Sequence, residues 1–161
     1  MTISRIRYTS RKQAEQLRGS PFEAVVSITD PTTPEAVLDP LFRRVLRLSF
    51  FDAVPADPFV PPPPGMFEHA MAGQISTFIG ELHAAPYETA LLVHCEWGIS
   101  RSAAVALFAE ALTGAPLEAR EYTGDANPWV LEQLLQRHPG LEAMPPPPLS
   151  GQERRHTRRD G

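Results

Sequence analysis

The chain has a single cysteine, Cys95, among 161 residues, so an intramolecular disulfide is excluded. It has no apolar run near the roughly 18 residues that a membrane helix needs. Its N-terminus, Met1-Thr2-Ile3-Ser4-Arg5-Ile6-Arg7, lacks the continuous apolar segment of a signal peptide. It has no surplus of positive charge: the formal net charge is −4, which gives no general pull toward nucleic acid or an anionic membrane. With no second cysteine and no histidine pair at a zinc spacing, no metal is expected. A cytoplasmic setting is the expectation, one that keeps the lone thiol reduced.

What is present fits one globular domain, expected over residues 1–144, with 42% hydrophobic and 21% charged residues. Proline is abundant, at 18 residues, and it clusters in Pro61–Pro64 and Pro145–Pro148. Each run should be extended, because every ring fixes φ and removes an amide donor. Such runs serve as stiff spacers or as docking sites for a proline-binding partner. Residues 145–161 read as a mobile tail, proline-rich and then arginine-rich through Arg154, Arg155, Arg158 and Arg159. The arginines either form a solvated end or touch an acidic partner.

Along the chain, residues 3–8 suggest an edge strand and residues 11–18 a short polar helix. Ala24-Val25-Val26-Ser27-Ile28 predicts a buried strand ending in the turn Thr29-Asp30-Pro31. A helix is expected from Pro34 with Thr33 as its N-cap. Val45 to Phe50 predicts a second core strand, and Asp52 to Pro64 a long proline-rich loop, a lid candidate. Phe67, Met71, Ile75, Phe78, Ile79 and Leu82 mark one face of an amphipathic helix. Ala90 to Val93 predicts a third core strand, and residues 102–112 a helix apolar nearly all round, stopping at Gly114. A short helix over Leu117 to Tyr122 and a last one capped by Asn127-Pro128 complete the reading. Alternating strands and helices predict an α/β fold: a mostly parallel central sheet flanked by helices on both faces.

The chemistry concentrates in His94-Cys95-Glu96-Trp97-Gly98-Ile99-Ser100-Arg101-Ser102, between a strand and a buried helix. A thiolate nucleophile is favoured by a helix N-terminus and a nearby cation. The same inward-pointing amides can hold phosphate oxygens. Arg101, six residues after Cys95, returns a guanidinium beside the sulfur and can clamp two oxygens. Gly98 permits a conformation that a Cβ would hinder. Ser102 can donate a hydrogen bond to the sulfur, and His94 can bond to the loop backbone. Glu96 is expected to point outward. Trp97 either flanks the pocket or packs beneath it.

His-Cys-x-x-Gly-x-Ser-Arg-Ser in this setting resembles the cysteine-dependent protein tyrosine phosphatases, in their small, bacterial-type, dual-specificity-like branch. The resemblance covers roughly residues 22–137 and is specific at 94–102. It implies a phosphatase P-loop between a central strand and a buried helix, and a two-step mechanism through a cysteinyl-phosphate, with no cofactor and no metal. By it Cys95 is the nucleophile, Arg101 the clamp, Ser102 the aid to thiolate departure and His94 a support. The amides of Glu96, Trp97, Gly98, Ile99, Ser100 and Arg101 form the phosphate cradle.

The family also needs an upstream aspartic acid. Asp52, directly after a core strand, is the first candidate and Asp57 the alternative. Expected substrates are phosphorylated proteins, through phosphotyrosine and also phosphoserine or phosphothreonine, or a small phosphoester. No lysine stands in the loop, which argues against phosphoinositides. Two other readings stay open: a non-catalytic phosphate-binding module, and a different loop-thiol enzyme.

Overall fold

The computed structural model describes residues 2–57 and 59–150. Its centre is a sheet of four parallel strands: β1 (Ile3–Ser10), β2 (Glu23–Thr29), β3 (Arg44–Ser49) and β4 (Thr89–Cys95). Their order is β1-β4-β2-β3. Every residue of β2 and β4 is buried. That is why both are rich in apolar residues, Ala24-Val25-Val26 in one and Ala90-Leu91-Leu92-Val93 in the other: an inner parallel strand is covered on both faces. The edge strands β1 and β3 are only partly buried.

Among the described residues there are four α-helices: α1 (Arg11–Gln16), α2 (His69–Ala84), α3 (Arg101–Thr113) and α4 (Pro128–Gln136). The main core joins Val26, Ile28, Leu91 and Val93 of the sheet to Ile75, Phe78, Leu107, Phe108 and Leu134 of α2, α3 and α4. The opposite face holds a small cluster of Val25, Phe42 and Leu92, closed by Leu17 after α1 and by Leu38. Helices therefore cover both faces unequally. As predicted, Asn127 caps α4: its Oδ1 accepts from the N–H groups of Trp129 (3.0 Å) and Val130 (3.1 Å).

Two expected elements form differently. No helix starts at Pro34. The Thr33 hydroxyl donates back to the Asp30 carbonyl rather than capping a helix. Backbone groups a helix would use internally are taken by distant side chains: Arg11 reaches the Glu35 carbonyl, Arg47 the Ala36 carbonyl and Glu15 the Val37 N–H. Likewise Leu117 bridges to Ile6 of β1, and a 3-10 helix (Arg120–Asp125) begins only after it. Residues 52–57 and 59–64 are irregular, as predicted. The ends of this loop meet where the Phe51 N–H donates to the Gly65 carbonyl at 2.7 Å.

Of the proline-rich tail, residues 145–150 are described. Leu149 is buried and its N–H donates to Asp125 at 3.3 Å. The Pro147 carbonyl oxygen occupies the space that a Cβ on Gly124 would need. The arginine-rich run falls outside the described residues. Among the described residues no helix is long and apolar enough to cross a membrane.

Parallel pairing gathers the carboxyl ends of the strands along one edge, with Ser10 opposite Cys95 and Thr29 opposite Ser49. In open α/β sheets ligands bind along that edge.

Candidate active site

β4 ends on Cys95, the loop 96–100 turns, and α3 begins on Arg101. Cys95 is buried. Its Sγ accepts the N–H of Gly98 at 3.3 Å and lies 3.1 Å from Ser102 Oγ, to which the thiol donates. In a thiolate that last bond reverses, with the hydroxyl donating to sulfur. Gly98 is needed twice over. Its φ of +71° is left-handed, and a Cβ there would stand 2.5 Å from both Ser10 N and Thr9 C. Conformational freedom was legible in the loop itself; the contact with β1 comes only from the fold.

Arg101 is 3% exposed. Its Nη1 donates to Asp30 Oδ1 at 2.6 Å and to the Phe50 carbonyl at 2.7 Å. Its Nε is buried and has no hydrogen-bond partner among the described residues. One corner of the fork is thus held by the protein, while Nε has no protein acceptor among the described residues. In the sequence Asp30 is a turn residue after a strand, with no local sign that it meets Arg101. The partner arrives from the end of β2, and only topology could show it.

Asp52 comes to the loop from the end of β3. Its Oδ1 accepts from the Ser100 hydroxyl and from Asn127 Nδ2, both at 2.8 Å. Asn127 Nδ2 also donates to the Ala53 carbonyl at 3.1 Å, and the Asn127 N–H donates to the Ser100 carbonyl at 3.0 Å. One asparagine therefore ties the acid-bearing loop, the thiol-bearing loop and α4 together. Its cap was predicted, the two ties were not. Both side-chain donors reach Oδ1. Asp57 instead turns onto its own loop, accepting the Phe59 N–H at 2.9 Å.

The remaining loop residues divide. Ile99 is buried. Trp97 is 62% exposed, which rules out packing beneath the pocket. Glu96 does not point freely outward: one carboxylate oxygen is buried, 4.0 Å from Arg11 Nη1. His94 is fully buried. Burial lowers its pKa from 6.5 to about 4, against the opposing pull of a hydrogen bond to the Cys95 carbonyl, so the ring is neutral at pH 7.

The arrangement combines a buried thiol, a buried guanidinium and a carboxylate on a neighbouring loop. No protein-family model matches the chain, and no curated protein matches it. A solved structure described as "Crystal structure of Tk-PTP in the active form" aligns with 99% of this chain and 92% of its own, at 16% identity and a TM-score of 0.38. A likeness of that degree carries no weight for activity; the side-chain geometry does.

Proposed function

We propose that the protein hydrolyses phosphate monoesters through a cysteinyl-phosphate intermediate. The observation that carries this reading is Arg101: a buried guanidinium at the start of α3, one nitrogen tied to Asp30 and its Nε free of protein acceptors, in the loop that follows Cys95.

Cys95 Sγ attacks phosphorus as the bond to the ester oxygen breaks. Asp52 gives its proton to that departing oxygen. Arg101 and the amides of residues 96–101 hold the three other oxygens and stabilise the charge spread over them. Water then attacks phosphorus, Asp52 takes the water's proton, and the sulfur leaves as a thiolate assisted by the Ser102 hydroxyl. The steps use the chain's own groups and water.

Protein phosphotyrosine is the substrate class this reading favours, with phosphoserine and phosphothreonine as dual-specificity substrates. Purified protein with reductant should turn over p-nitrophenyl phosphate near pH 6, and Cys95→Ser should abolish it. Turnover that survives Cys95→Ser would sink the mechanism.

A further inference from the structure

His94 and its register partner Ser27 are both buried, on the face of the sheet that carries α1. Ser27 Oγ and His94 Nε2 are 2.6 Å apart, while His94 Nδ1 lies 3.4 Å from the Cys95 carbonyl oxygen. A neutral imidazole has one N–H and one lone pair. A carbonyl oxygen only accepts. A proton on Nε2 would turn the Nδ1 lone pair toward that oxygen, acceptor against acceptor, in a site closed to solvent. A proton on Nδ1 satisfies the carbonyl and makes Nε2 an acceptor, which the Ser27 hydroxyl can fill.

The Cys95 carbonyl shares a rigid peptide plane with the Glu96 N–H, the first amide of the loop. Fixing the carbonyl fixes the direction of that amide. We infer that Ser27 is a positioning residue: its hydroxyl donates to His94 Nε2, keeps the proton on Nδ1, and thereby orients the peptide that opens the phosphate cradle. The kinetic part of this inference rests on the hydrolase reading above; the tautomer part does not. Other charged groups near the ring are Arg11 and Glu15 of α1 and Arg47 of β3; its hydrogen bonds are to Ser27 and the Cys95 carbonyl.

The test is 15N NMR of histidine-labelled protein, with His94 assigned by its loss in His94→Gln. Wild-type protein should show Nδ1 protonated and Nε2 bare, and Ser27→Ala should populate the Nε2–H form. In turnover of p-nitrophenyl phosphate, Ser27→Ala should lose about tenfold in kcat with KM held, a milder loss than misplacing the tautomer of a directly acting histidine. Ser27→Thr, which keeps the hydroxyl, should restore both the tautomer and kcat. An Nε2–H tautomer in wild-type protein overturns the inference, and that spectrum decides even if Ser27→Ala does not fold. A Ser27→Ala protein with wild-type tautomer and kcat also overturns it. Absence of any turnover in wild-type protein strikes the hydrolase reading, while the tautomer still decides the role of Ser27.

Discussion

Asn127 Nδ2 and Asp52 Oδ1 lie 2.8 Å apart, joining a helix cap to the carboxyl of a loop far away in the chain. The same asparagine uses its other side-chain atom, Oδ1, to cap α4. The two roles separate by substitution. Asn127→Ser keeps a capping oxygen but loses the donor to Asp52. Its melting temperature should stay within a few degrees of wild type, while kcat for alkyl phosphates falls roughly tenfold. Turnover of p-nitrophenyl phosphate, whose leaving group needs little protonation, should fall less. Equal loss on both substrates would mean that Asn127 does not act through the acid.

Asp52 and Asp57 give opposite expectations. Asp52→Ala should lower kcat by roughly 10²-fold or more on poor leaving groups and remove the limb of the pH profile that reports the protonated acid. Asp57→Ala, which loses only a turn bond to Phe59, should stay near wild type. Steady-state kinetics between pH 4.5 and 8 on both variants decides, and the reverse pattern would move the acid to Asp57.

Gly98→Ala should break the cradle. The new Cβ meets backbone of Thr9 and Ser10, which cannot swing aside as a flexible side chain could, and the backbone at φ +71° disfavours it as well. A loss of roughly 2–4 kcal/mol in urea unfolding is expected, together with loss of turnover. A Gly98→Ala protein of wild-type stability would contradict the packing of the loop against β1.

His94 predicts a pH dependence of stability with a definite sign. Well above pH 6.5 the ring is neutral whether the chain is folded or unfolded, and it adds no slope. As pH falls from 6.5 toward 4, the unfolded chain takes up a proton that the folded chain refuses, so stability declines. The full difference corresponds to about 3 kcal/mol. Urea titrations at pH 7, 5.5 and 4 should show this decline in wild type and a flatter curve in His94→Gln. Parallel curves would mean that the ring titrates alike in both states.

The elements that were legible are those whose own residues decide them. β2 and β4 declare themselves by short, mostly apolar runs, α2 by its periodic face, α3 by its apolar circumference, and the thiol loop by its residue types. The Pro34 segment misled because its backbone bonds are completed by Arg11, Glu15 and Arg47, two of them earlier in the chain and one later. Asp30 was hidden for the same kind of reason: nothing local distinguishes a turn aspartate from one that will meet a buried guanidinium. Asn127 was half legible, since a cap is a local pattern and a tie to Asp52 is not.

The cradle's dependence on Thr9 and Ser10 has a kinetic consequence. β1 lies near the start of the chain and pairs in parallel with β4, so Gly98 meets its neighbours only after a long segment has closed. Contacts so distant in sequence form late, because the entropy of closing the segment comes first. During refolding, the helices should be present before the loop around Cys95 takes its shape. The surroundings of Cys95 would then be assembled last, and a partly folded chain would hold the sulfur without them.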